Sequence, residues 1–206
     1  MEDKFYPIGD LNTPIWQWGE RKPEFNGQRT LMNKKVMYKN LLDFKESCDK
    51  YNLTFVIIFG ALLGIIRDGD LIEKDTDIDV MCFTEAPDWK DYYKFGYVIE
   101  DMEKKGFLVT DRKFCPWHDI GFVRGGEKIE IWMFTEIDDE KIYDQVVRFP
   151  KHFFYPLEER EFLGTKFKVP NCPETFLAYT YGDTWNIPNP KGSYVLGRYH
   201  QYHEEI

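Results

Sequence analysis

The sequence predicts an α/β (α+β) fold: a mixed β-sheet flanked by helices, with a C-terminal hairpin and a short helix. Three observations predict it. Two stretches, about Thr30 to Tyr51 and Trp89 to Lys105, carry hydrophobic residues at helical spacing. The run Thr54-Phe-Val-Ile-Ile-Phe59 is β-branched and aromatic and stops at Gly60, as a buried strand would. Further extended stretches follow, two of them joined at Gly125-Gly126, where a hairpin turn is expected. Helices mixed with strands early and hairpins late imply a sheet with both parallel and antiparallel neighbours.

Taken in order, residues 1–29 hold proline, glycine and tryptophan without periodicity and are expected to wrap irregularly over the body. In the first helix Met37, Leu41, Phe44 and Cys48 share one face, with lysines and acids on the other. After the buried strand, Ala61 to Arg67 forms a short helix closed by the turn signal Asp68-Gly69-Asp70. Leu71 to Phe83 is extended, at least over Asp77 to Val80. The second long helix turns Tyr92, Phe95, Ile99 and Met102 inward and ends at Gly106. Phe107 to Thr110, Ile120 to Arg124 and Lys128 to Phe134 are strands, the last two paired as a hairpin. Phe162 to Val169 is one more extended stretch, Pro173 to Tyr181 a short helix stopped by Gly182, and residues 191–206 a tail.

A chain of 206 residues suits one domain with a sizeable core. Its composition, 43% hydrophobic and 31% charged, is that of a water-soluble globular protein. A net charge of −9 argues against a sequence-independent grip on nucleic acid, which needs a basic face. The start, MEDKFYPIGD, shows neither a basic region nor an apolar core of a secretory signal, and no apolar run is long enough to span a bilayer. Cys48, Cys82, Cys115 and Cys172 are scattered without a CxxC pair, which suggests reduced thiols and a cytoplasmic location.

The chemistry concentrates in Asp75-Thr-Asp-Ile-Asp-Val80. On a strand, residues two apart face the same way, so Asp75, Asp77 and Asp79 project together while Ile78 and Val80 pack inward. Carboxylates gathered on one face repel unless a cation neutralises them. Hard oxygen donors without histidine or cysteine favour Mg2+ or Mn2+ over zinc. Such an ion completes its coordination with water and substrate phosphate, which suits displacement at phosphorus. A solvated strand edge is the competing explanation. The helix opened at Gly60 could also offer backbone N–H groups to a phosphate.

Gly60-Ala-Leu-Leu-Gly-Ile-Ile-Arg-Asp-Gly-Asp-Leu-Ile72 followed by Asp75-Thr-Asp-Ile-Asp-Val80 closely resembles the signature of the LicD/fukutin family. Lys128-Ile-Glu-Ile-Trp-Met-Phe134 resembles the later strand that carries the family's third acid. Phe149-Pro-Lys-His-Phe-Phe154 and Tyr181-Gly-Asp-Thr-Trp185 resemble its later segments, so matching elements run from about residue 40 to 190. The resemblance implies a polymerase-β-like nucleotidyltransferase fold. It implies that Asp77, Asp79 and Glu130 are catalytic and bind the metal. It also implies donor-binding positions at Gly60, Ala61, Gly64, Arg67 and Asp75.

Family members move a phosphorylated alcohol from a CDP-activated donor such as CDP-choline or CDP-ribitol to a sugar hydroxyl. The resemblance therefore implies a glycan or glycolipid acceptor, with the protein at most peripheral at a membrane surface. Asp79 or Glu130 would take the hydroxyl proton.

This chain departs from the pattern at three places. Ala61 replaces the usual threonine or serine, Glu73-Lys74 replaces Pro-Trp, and Glu130 stands where aspartate is common. None of these removes a carboxylate. Two rival readings stay open: transfer of a nucleotide from a nucleoside triphosphate, and a nucleotide-binding member without turnover. Outside the resemblance, Glu130 could be the polar face of an edge strand, and Arg67 could pair with Asp68 or Asp70. His118 suits a structural place at a hairpin entry better than catalysis. His200 and His203 have ligand spacing but sit in the tail. Trp132, Phe134, Tyr181 and Trp185 suit core packing better than a base-stacking shelf.

Overall fold

The computed structural model describes residues 31–84, 90–111, 120–136, 141–143 and 148–188. The expectations for residues 1–29, His118, Cys115, the tail, His200 and His203 lie outside them. Helix α1 spans Lys34–Lys50 and is capped by Asn33, whose side chain accepts from the Val36 N–H. Met37, Leu41, Phe44 and Cys48 are fully buried on one face, as their spacing requires. Each such side chain removed from water stabilises the fold by roughly 1.5–3 kcal/mol.

The predicted strand 54–59 is shorter than expected. Strand β1 covers Phe55–Ile57 and helix α2 already starts at Phe59, spanning Phe59–Asp68. Phe59 takes a left-handed conformation with φ of 48°, uncommon for an aromatic residue. Its ring is held by packing on Trp132 at 5.3 Å and Phe176 at 6.3 Å. Tertiary contacts thus end the strand before its hydrophobic run ends. At the other end of α2, Gly69 sits at φ of 71° and its N–H bonds to the Ile65 carbonyl.

Strand β2 covers Asp77–Thr84, and residues 71–76 before it are not strand, so Asp75, expected to project from the strand with Asp77 and Asp79, precedes it instead. Next come helix α3, Lys90–Lys104, and strands β3, Leu108–Asp111, β4, Ile120–Arg124, and β5, Glu127–Glu136. They form a seven-stranded mixed sheet whose main order is β1-β2-β5-β4-β3. Two short strands, β6 at Lys141–Tyr143 and β7 at Arg148–Pro150, extend it beside the end of β5. The sequence reading did not anticipate them. The stretch 162–169, expected as one strand, is instead part of a hairpin. Strand β8, Glu158–Phe162, turns through Leu163 and Gly164 into β9, Thr165–Val169. Helix α4, Pro173–Tyr181, follows as expected.

Helices α1 and α3 cover one face of the sheet. Phe44 of α1 packs on Phe55 and Phe122 at 4.9 and 5.6 Å, and Phe95 of α3 lies 6.3 Å from Phe122. Ile78, Val80, Ile129 and Ile131 fill the same layer, all fully buried. The opposite face carries a second aromatic cluster. There Phe134 packs on Phe149 and Phe154, and both of those rings contact Phe176 of α4. No helix among the described residues is long and apolar enough to cross a membrane.

Candidate active site

Strands β2 and β5 run parallel, with Asp77 opposite Lys128, Asp79 opposite Glu130 and Met81 opposite Trp132. Side chains two apart share a face, so Asp77, Asp79, Lys128, Glu130 and Trp132 all project away from α1 and α3. Gly121 of β4 lies opposite Glu130, and Thr110 of β3 lies opposite Gly121. The three predicted acids therefore lie on one face of two neighbouring central strands. Glu130 is on a central strand rather than an edge and is only 8% exposed.

Close carboxylates on this face perturb one another. Burial pushes the Asp77 carboxyl up to about 6; Lys128 pulls it down, while Glu130 and Asp75 push it further up. Burial also pushes Asp79 well above the usual range, reinforced by Asp77 and opposed by a hydrogen bond from Trp132. That bond runs from the indole Nε1 to Asp79 Oδ1 at 2.9 Å. The Lys128 ammonium lies between two acids, 2.6 Å from Glu130 Oε2 and 3.4 Å from Asp77 Oδ2. Lys128 has no role in the sequence reading, and Trp132, expected there to pack in the core, also donates to Asp79. Their signal was the period-two spacing Lys128, Glu130, Trp132, which matches Asp77 and Asp79 across the strand pair.

Three hard-oxygen side chains on adjacent in-register strands are the donor type a divalent cation takes. Among the described residues, however, no group of three such side chains is already gathered closely enough to hold a metal ion. The acids are spread around Lys128 instead. In donor chemistry the three carboxylates are of the type that Mg2+ or Mn2+ takes, and the Lys128 ammonium stands beside two of them.

The remaining predicted positions surround α2. Asp75 Oδ2 occupies the space over Gly60, where a Cβ would come within 2.1 Å of it. Its carboxylate thus faces the positive end of α2, the place proposed for a phosphate. Ala61 is buried in the same turn. Gly64 packs against the returning chain, since a Cβ there would meet the Asp70 carbonyl at 2.5 Å. Arg67 makes a two-pronged pair with Asp68, Nε to Oδ1 at 2.8 Å and Nη2 to Oδ2 at 2.6 Å. Asp70 accepts bonds from Lys34 and Tyr38, tying the turn to α1. Of the five aspartates between residues 68 and 79, Asp68 pairs with Arg67, Asp70 ties the turn to α1, and the other three lie at or beside the acid cluster. Phe134 is fully buried, and Trp132, Tyr181 and Trp185 pack against the core.

Comparison with known proteins bears on both the fold and the family. The fold is similar to a crystal structure of ANT(2'')-Ia in complex with adenylyl-2''-tobramycin. The two share a TM-score of 0.51 and 15% identity, over 82% of this chain and 86% of that one. A solution structure of the antibiotic-resistance factor ANT(2'')-Ia also gives a TM-score of 0.51 at 15% identity, over 78% and 77%. These neighbours share the overall fold of this chain.

In sequence, the chain is 25% identical over 142 residues to the ribitol 5-phosphate transferase FKRP of Mus musculus and to that of Homo sapiens. Each match covers 64% of this chain and 29% of the relative. An uncharacterized Rickettsia typhi protein is 25% identical over 123 residues, covering 59% of this chain and 36% of that protein. The chain thus spans about a third of the length of these relatives. Residues 52–172, more than half of the chain, match the family described as LicD/FKTN/FKRP, nucleotidyltransferase domain, and the chain belongs to that family.

Proposed function

We propose that this protein is a metal-dependent transferase that moves a phosphorylated alcohol from a CDP-activated donor to a sugar hydroxyl, releasing CMP. One observation carries the reading: Asp79 stands directly opposite Glu130, with Asp77 beside them, on one face of the parallel strand pair β2 and β5. Membership of the family and similarity to a ribitol 5-phosphate transferase support the donor class. Phosphocholine and ribitol phosphate are the head groups to test.

In the proposed reaction the acceptor oxygen attacks the distal phosphorus of the donor diphosphate. A phosphorus–oxygen bond forms to the sugar, the bond to the bridging oxygen breaks, and CMP departs with that oxygen. The hydroxyl proton passes to a carboxylate, Asp79 or Glu130. A divalent cation, Mg2+ or Mn2+, held by Asp77, Asp79 and Glu130 would neutralise charge on the diphosphate and on departing CMP. The chain supplies the positioning. Trp132 fixes one oxygen of Asp79, and the Ile58 N–H bonds to the Asp79 carbonyl at 3.2 Å, tying the start of α2 to the site. Gly60 and Ala61 in the first turn of α2 would meet the donor phosphates through their backbone once the Asp75 carboxylate, which lies over Gly60, gives way. Arg67, steered by Asp68, would add positive charge on the same helix.

The test is a thermal-shift panel with Mg2+ or Mn2+ and CDP-choline, CDP-ribitol, CDP-glycerol, CTP or ATP, repeated on Asp77→Ala. Stabilisation by a CDP-alcohol with metal, lost in the variant and accompanied by CMP release, supports the transferase and names its donor. Stabilisation by triphosphates alone replaces it with nucleotidyl transfer. No shift with any ligand and no CMP release favours a member without turnover instead.

A further inference from the structure

We propose that Lys128 is a built-in counter-ion that occupies the cation's place among the acids and must be displaced before a metal binds. This rests on the metal-dependent reading above and adds a positioning residue to it. The geometry is specific. Lys128 is on β5, two residues before Glu130 and directly opposite Asp77, and its ammonium reaches both carboxylates, at 2.6 and 3.4 Å. Its side chain is 18% exposed, and those of Asp77 and Glu130 are 20% and 11% exposed, so the cluster is largely shielded from solvent screening.

The lysine stem runs beside Gly121, opposite Glu130 on β4: a Cβ there would meet Thr110 Oγ1 first, at 2.5 Å, and would sit 3.3 Å from Lys128 Cδ and 3.5 Å from Cγ.

Carboxylates collected for a divalent ion repel when that ion is absent, and one internal ammonium relieves the repulsion without leaving the site. The same ammonium opposes metal entry, because two positive ions compete for the same oxygens. Metal binding is then an exchange. The ion would take Asp77, Asp79 and Glu130, and Lys128 would swing away from them, toward the donor phosphates.

The test is titration of Mn2+ into the full chain without donor, followed by calorimetry, for wild type, Lys128→Met, Lys128→Arg and Asp79→Asn. Lys128→Met is expected to bind Mn2+ about tenfold tighter than wild type. Lys128→Arg, which keeps the charge, is expected to stay close to wild type. Asp79→Asn is expected to lose binding, which shows that the ion sits among the acids. Wild-type or weaker affinity in Lys128→Met, with binding still lost in Asp79→Asn, overturns the counter-ion while leaving the metal site standing. No Mn2+ binding to either wild type or Lys128→Met overturns both.

A second measurement needs no variant. Acetic anhydride labelling of Lys128 in the wild-type chain, read by peptide mass spectrometry, is expected to be slow without metal and faster with saturating Mn2+. Labelling that does not respond to Mn2+ overturns the exchange.

Discussion

The indole nitrogen of Trp132 donates a 2.9 Å hydrogen bond to Asp79 Oδ1, reaching diagonally across the parallel pair of β2 and β5. Trp132 lies opposite Met81, one side-chain repeat beyond Asp79, so the bond crosses the register rather than following it. It directs one carboxylate oxygen and opposes the burial that pushes Asp79 up. The same ring packs edge-on to Phe59 at 5.3 Å, linking Asp79 to the start of α2. Trp132→Phe keeps an aromatic ring against Phe59 and removes the donor. Turnover in the proposed reaction is expected to fall about 10- to 100-fold, the usual cost of losing a partner that orients a metal-binding carboxylate. Steady-state kinetics beside a melting curve check this. Activity within twofold of wild type would reduce the bond to a packing contact.

Gly60 and Gly96 should respond to alanine in opposite ways. At Gly60 the new Cβ would come within 2.1 Å of Asp75 Oδ2, so the carboxylate or the first turn of α2 must shift. Gly60→Ala is expected to lower the melting temperature and to weaken donor binding together. Gly96 lies inside α3, and a Cβ there meets nothing within 4 Å. Gly96→Ala is expected to stabilise the protein by about 0.5–1 kcal/mol, by removing backbone freedom from the unfolded chain. Urea unfolding of both variants measures the contrast. A stabilised Gly60→Ala would show that Asp75 moves at little cost.

These residues also show how much of the molecule can be read from the sequence. The faces of α1 and α3 follow from local periodicity, and Met37, Leu41, Phe44, Phe95 and Met102 lie where their spacing puts them. The start of α2 does not. The run from Val56 to Phe59 continues hydrophobic through the strand end, and Phe59 turns left-handed for contacts with Trp132 and Phe176, more than seventy residues downstream. The β8–β9 turn was missed for a related reason. Leu163 occupies a left-handed position, φ of 54°, where leucine is a poor signal. Strands β6 and β7, three residues each, are too short to show a period. In the site, Asp77 and Asp79 stand out by their alternation. Lys128 and Trp132 gain meaning only once β5 is set in register beside β2, a pairing that spans about fifty residues.

Asp101 gives the clearest pH signature outside the acid cluster. It sits on α3 at 7% exposure and receives Lys50 Nζ at 2.6 Å and Ser47 Oγ at 2.7 Å, both from α1, with Lys105 Nζ at 3.4 Å. The bond from Lys50, then that from Ser47, outweighs burial and holds its carboxyl down at about 2, against an ordinary 3.8. A depressed carboxyl adds stability that is complete above its unfolded value and is lost as pH falls toward its folded one. The contribution should therefore be full at pH 7 and fade between about pH 4 and 2. Asp101→Asn keeps the shape and removes the charge, and should cost about 2 kcal/mol at pH 7, the scale of a hydrogen bond to a charged group. Urea unfolding of wild type and Asp101→Asn at pH 7, 4 and 3 decides the matter. A gap that narrows below pH 4 locates the stabilisation in the charge that clamps α1 to α3. A constant gap assigns it to packing and neutral hydrogen bonds, since those do not titrate in this range.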